Sequence, residues 1–137
     1  MNILVTGGAG FIGSHTVAML VKKRHNVMAL DNFKTGSLEN LKGVRCSVNV
    51  CDVTDIEKLN AVFYEFSPAV VIHLAAQSAI TTSWKDPAND VRVNTLGTLN
   101  VVKLCNEYKV RKLIFSSTSA VYREDKRAPI FGMAENF

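Results

Sequence analysis

The chain has 137 residues, 47% hydrophobic and 20% charged, with a net charge of +4, a length and composition that suit one globular domain with a real core. No stretch approaches the ~18 apolar residues of a membrane span, and Met1 leads directly into an apolar run, so no secretory leader is expected. The one dense basic run, Lys22-Lys23-Arg24-His25, lacks the interleaved aromatics of a nucleic-acid surface and reads as a solvated helix end, where positive charge suits the dipole.

A first strand is expected over 2–6. Thr6-Gly7-Gly8-Ala9-Gly10-Phe11-Ile12-Gly13 follows, and a helix over about 10–23. A second strand over 27–31 ends on Asp31. Ser37 caps a short helix through Leu41, and a third strand covers 44–50. Thr54 and Glu57 form a capping box. It opens a helix whose apolar positions Ile56, Leu59, Val62, Phe63 and Phe66 recur at helical spacing. The continuous apolar run 69–75 reads as a strand covered on both faces. Asp86-Pro87 is a cap followed by proline at the first helical position, opening a helix to about Tyr108, and a fifth strand covers 112–116. The last 15 residues, with Pro129 and Gly132, read as loop. Five strands joined by helical crossovers predict an α/β, doubly wound parallel sheet. The three cysteines, Cys46, Cys51 and Cys105, are odd in number and lack metal-ligand spacing. They suggest reduced thiols in a cytoplasmic protein, and no metal site; Cys51 reads as a small buried residue rather than a reactive thiol.

The glycine run carries the first functional signal. It follows a strand and opens a helix, and Asp31 lies 18 positions beyond Gly13, near the ~20-residue offset of a dinucleotide-binding unit. Glycine lets a phosphate approach the main chain, and the helix start aims free N–H groups and a positive dipole end at it. Asp31 would accept hydrogen bonds from an adenosine ribose, which favours NAD because a 2′-phosphate would be repelled.

Further motifs come in one order along nearly the whole chain: Asp31-Asn32, Asp52-Val53, His73-Leu74-Ala75-Ala76-Gln77, Asn94-x-x-Gly97-Thr98-x-Asn100, and Phe115-Ser116-Ser117-Thr118-Ser119-Ala120-Val121-Tyr122. With the glycine run they resemble the extended short-chain dehydrogenase/reductase superfamily and, more closely, its sugar-nucleotide epimerase/dehydratase family, the 4-epimerases in particular. The resemblance implies a Rossmann-like NAD-binding domain over 1–137. In it Gly7, Gly10, Phe11, Ile12 and Gly13 meet the pyrophosphate through their backbone. Asp31 and Asn32 hold the ribose, and Asp52 and Val53 the adenine. Leu74, Ala75 and Ala76 let the cofactor come close, Asn94 lies near it, and Thr118 is the catalytic hydroxyl. His73 reads as a hydrogen-bonded core residue, and Trp84 as a packing residue rather than a sugar contact.

The family also uses a Tyr-x-x-x-Lys whose tyrosine is the general base. Tyr122 and Lys126 match that spacing literally, but they come only four residues after Thr118, too early for the family's catalytic pair. Arg123 stands where a glycine is usual. The expectation is therefore an N-terminal fragment of a nucleotide-sugar 4-epimerase, an NAD-dependent isomerase acting on a UDP-hexose. It ends before the catalytic helix and the substrate domain and is inactive alone. The full-length form would be a homodimer, and the fragment association-prone. Two alternatives stand beside it. One is a fragment of a sugar-nucleotide 4,6-dehydratase, against which Ser119 and Ala120 stand where an Asp-Glu pair would be needed. The other is a non-catalytic dinucleotide-binding module.

Overall fold

A computed structural model describes residues 1–118; residues 119–137, and with them Tyr122, Arg123 and Lys126, lie outside the described residues. Five strands, β1 (Asn2–Thr6), β2 (Asn26–Asp31), β3 (Ser47–Val50), β4 (Val70–His73) and β5 (Lys112–Phe115), form one sheet in the order β3-β2-β1-β4-β5. All four pairings are parallel. The helices are α1 (Phe11–Lys22), α2 (Ile56–Phe66), α3 (Ile80–Lys85), α4 (Pro87–Val91) and α5 (Thr98–Glu107), with a π-helical turn, Arg92–Gly97, between α4 and α5. None of the described helices is long and apolar enough to cross a membrane.

The period-2 alternation of the central strands sorts the core into two layers. Ile3 and Val5 of β1, Val27 and Ala29 of β2, and Val70 of β4 pack on one face, with Val17 of α1. Leu4, Leu30 and Val71 point the other way, onto Leu59, Val62, Phe63 and Phe66 of α2 and Val101, Leu104 and Cys105 of α5. Each face of the sheet therefore has its own helical cover, as a doubly wound sheet requires.

Several element boundaries differ from expectation, each for a local reason. Strand β3 begins at Ser47 rather than Val44, because Val44 N–H turns back to the Leu41 carbonyl (3.0 Å) and Cys46 N–H to that of Val44 (3.0 Å). Strand β4 stops at His73, where the Thr6 hydroxyl takes the N–H groups of both Leu74 and Ala75, each at 3.2 Å. Helix α2 is capped by Asp55, which accepts from Lys58 N–H at 3.1 Å, and not by Thr54. Thr54 is already engaged: its N–H (2.9 Å) and hydroxyl (2.7 Å) both donate to Asp52 Oδ1. Asp86 caps α4 with Pro87 in the first turn, as expected. The helix predicted onward to Tyr108 is interrupted by the π turn, and α3 adds a short helix before it. No residue of α3 is buried, and Trp84 is 83% exposed, so among the described residues it packs into no core, contrary to the expectation.

Candidate dinucleotide-binding site

In the strand order, β1 lies between β2 and β4, so the chain leaves the sheet in opposite directions from β1 and β4. Open α/β sheets bind ligands in the crevice outside the carboxyl ends at that switch point. The glycine loop, Asp31, Asn32, Asp52 and residues 74–77 follow the carboxyl ends of β1, β2, β3 and β4 there.

The glycine loop leaves β1 under tight steric control. Gly7 has φ +67°, and a Cβ on it would stand 2.8 Å from Ala75 N and 2.9 Å from the Leu74 carbonyl carbon. A Cβ on Gly13 would stand 2.0 Å from the Gly7 carbonyl oxygen. Only glycine lets β1, α1 and the segment after β4 come this close. Gly10 N–H closes the turn onto Gly7 O at 3.1 Å, and Ser14 N–H makes the first helical bond, to Gly10 O at 2.9 Å. The N–H groups of Phe11, Ile12 and Gly13 thus precede the first intrahelical bond. Gly10 supplies no side-chain cap and the first turn holds no acid, so an anion meets no competitor there. Phe11 and Ile12 turn their side chains outward, 81% and 63% exposed, which fits a backbone role for them.

Asp31, at the end of β2, is buried beneath this loop. Oδ2 accepts from Ala9 N–H and Oδ1 from Phe33 N–H, both at 2.9 Å. Each carboxylate oxygen keeps a second lone pair, and these can accept hydroxyls. Residues 36–40 wall this side: a Cβ on Gly36 would lie 3.0 Å from both Asp31 oxygens. Ser37 N–H (3.1 Å) and Asn40 Nδ2 (2.8 Å) both donate to Ala9 O. The sequence reading missed this wall. Its signal was the Gly36-Ser37 turn chemistry, Ser37 capping the next 3₁₀ turn.

Asn32 and Asp52 meet across the β2–β3 end, with Asn32 Nδ2 donating to Asp52 Oδ2 at 2.8 Å. Desolvation pulls the Asp52 pKa upward. The Thr54 N–H, the Asn32 amide, the Thr54 hydroxyl and the charge of Arg92 outweigh it together and hold the carboxyl below its usual value. Asp52 is thus an anion already organising a turn. Val53 beside it is buried, and a Cβ on Gly97 would meet its Cγ2 at 2.6 Å. Asn100 Nδ2 holds Val53 O at 3.0 Å.

Across the crevice, Leu74 and Ala75 are half-buried and Ala76 is exposed. Asn94, on the π turn, accepts from Gln77 N–H at 2.8 Å and donates to Gln77 O at 3.1 Å, pinning that segment. The sequence singled out Asn94 for the cofactor; its visible partner is backbone. His73 is buried, with Nδ1 2.6 Å from Thr6 Oγ1 and Nε2 3.0 Å from Thr98 Oγ1. Its burial pulls the pKa down to about 4, so it is a neutral core residue, as the sequence suggested. Thr118 lies exposed, three residues past the end of β5. Cys51 is buried and its thiol is pushed up to about 11, by desolvation first and then by Asp55 and Asp52; it is not a reactive thiolate. Among the described residues no group of three or more His, Cys, Asp or Glu lies together to hold a metal ion.

Known proteins share this fold. The family model described as "NAD dependent epimerase/dehydratase family" matches residues 3–136. A UDP-glucose 4-epimerase of Halalkalibacterium halodurans is 41% identical over 130 residues, which is 95% of this chain and 38% of the relative. The crystal structure of a Thermus thermophilus UDP-glucose 4-epimerase in complex with NAD aligns with a TM-score of 0.84 at 45% identity, over 95% of this chain and 43% of that one. A Thermotoga maritima UDP-glucose 4-epimerase solved with UDP-glucose aligns at the same TM-score of 0.84 and 40% identity, over 89% of this chain and 39% of that one. The chain therefore spans about two-fifths of the length of the relatives it matches.

Proposed function

The chain belongs to the NAD dependent epimerase/dehydratase family, and from that membership we propose that it is the NAD-binding N-terminal part of a UDP-glucose 4-epimerase-like enzyme. The observation that carries this is the pairing of a helix start that no side chain caps, at Gly10–Gly13, with the buried Asp31 carboxylate that holds the same glycine loop through Ala9 N–H.

The residues present fit a dinucleotide. The N–H groups of Phe11, Ile12 and Gly13 face a diphosphate. Asp31 would accept ribose hydroxyls through its remaining lone pairs and repel a 2′-phosphate, and Asn32, Asp52 and Val53 would hold the adenine. Leu74, Ala75 and Ala76 present small or backbone surface on the nicotinamide side, and Asn94 keeps Gln77 clear of it. Bound NAD would supply the hydride acceptor and donor for transient oxidation at C4 of a nucleotide-linked hexose. Thr118, at the carboxyl end of β5, would position the sugar oxygen. Tyr122 and Lys126 are too close to Thr118 in sequence to serve as the base pair, so we assign no turnover to these 137 residues alone. The UDP-hexose grip and a homodimer belong to the longer form. The three free thiols fit a cytoplasmic setting.

Equilibrium dialysis with labelled NAD, followed by a UDP-galactose to UDP-glucose assay, tests this. Saturable binding without turnover is the expected result. Turnover would make Tyr122 and Lys126 the working pair, and no binding at all would refute the coenzyme site.

A further inference from the structure

We propose that His73 is a positioning residue for the coenzyme: as the neutral Nε2–H tautomer it ties Thr6 of β1 to Thr98 of α5 and thereby fixes residues 74–77 against the glycine loop. This rests on the NAD reading above, and it assigns a task to a residue that touches no coenzyme.

The hydrogen bonds assign the tautomer. Thr98 has one hydroxyl proton and gives it to Asn94 O at 2.8 Å, so its oxygen must accept from His73 Nε2–H at 3.0 Å. Thr6 Oγ1 accepts the Leu74 and Ala75 N–H groups and gives its own proton to His73 Nδ1, at 2.6 Å. The imidazole is therefore one acceptor and one donor, each used once, as a neutral ring allows.

The two arms hold opposite ends of one segment. Thr6 sets where Ala75 N sits, and that atom is among those that leave no room for a Cβ on Gly7. Thr98 braces the carbonyl of Asn94, whose side chain clamps Gln77 on both its N–H and its C=O. His73 joins the arms, so the crevice wall at 74–77 is set from both ends through one ring. Three elements pack against that ring: β1 through Thr6, the start of α5 through Thr98, and β5 through the stacked Phe115 ring, centroids 5.8 Å apart. None of these three partners carries charge, and burial is the one cause of the shift on His73. A protonated ring would have two donors and no acceptor, and Thr6 would lose the partner for its hydroxyl.

The test uses the 137-residue chain without and with NAD. In the free wild-type protein, imidazole nitrogen shifts should show His73 as Nε2–H and unchanged between about pH 5 and 8; an Nδ1–H ring, or one that titrates there, overturns the proposal without any variant. Thr98→Val should speed amide exchange of Ala75 and Gln77 about tenfold and weaken NAD binding several-fold, with core amides such as Val71 unchanged. Thr98→Ser should restore both. Unchanged exchange, or faster exchange with unchanged NAD affinity, overturns it. A wild-type chain that binds no NAD while these amides still respond refutes the coenzyme reading, and with it the coenzyme part of this proposal, and leaves the strut standing.

Discussion

At the residue scale, Gly13 and His73 make the sharpest predictions. Gly13 has no room for a methyl group, since the Gly7 carbonyl stands 2.0 Å from where one would be built. Gly13→Ala must therefore move the loop off the helix start. We expect a loss of roughly 1–3 kcal/mol of stability, as for other overpacked sites, and loss of NAD binding. A variant that binds NAD as tightly as wild type in a titration would contradict the tight-loop account. His73 makes a pH prediction. Its folded pKa is about 4, below the ordinary 6.5, so the unfolded chain takes up a proton where the folded one does not. The stability this represents is intact above about pH 6.5 and is lost as pH falls toward about 4, at up to roughly 1.4 kcal/mol per pH unit. Urea melts across that window should show the loss in wild type and a flatter limb in His73→Phe. Parallel limbs would contradict a buried neutral imidazole.

At the element scale, the π turn Arg92–Gly97 organises the crevice walls. By widening one helical turn it brings Asn94 to Gln77, Gly97 to Val53, and Thr98 to His73. Such turns recur at functional sites. Gly97→Ala should push Val53 aside, since the added carbon would sit 2.6 Å from its Cγ2. The expected cost is again roughly 1–3 kcal/mol, with weaker adenine-side binding. A melting temperature and a Kd for NAD that both match wild type would contradict the assigned contact. The turn also marks the limit of what the sequence could reveal. The five strands, α1, the Asp86-Pro87 cap that opens α4 and the end of α5 near Tyr108 were legible, because period and capping chemistry are local. The glycine loop and Asp31 were legible too, because their spacing is the signal. Asn94 and Gly97 stood out as parts of one motif, but the π geometry did not, since it depends on what lies across the gap. The Thr6–His73–Thr98 chain joins residues 67 and 25 positions apart, which no local pattern can show. Thr54 misled because Asp52, two residues earlier, competes for it.

At the scale of the whole molecule, both sheet edges are apolar and open among the described residues. Val48 and Val50 on β3 are 39% and 69% exposed, and Ile114 and Phe115 on β5 are 42% and 57% exposed. Unpaired edges of this kind template pairing with another chain. We expect the 137-residue chain to associate with rising concentration in sedimentation velocity; a single sharp monomer boundary with a cooperative melt would contradict that. The more central matter is the crevice at the β1–β4 switch point, where a helix start without side-chain competition faces a buried carboxylate. A calorimetric titration of the wild-type chain with NAD and, separately, with NADP reads both features at once. The account predicts one saturable NAD site per chain and NADP binding weaker by about a hundredfold, from a 2′-phosphate set against the Asp31 carboxylate. Equal affinities, or no heat from either coenzyme, would contradict it.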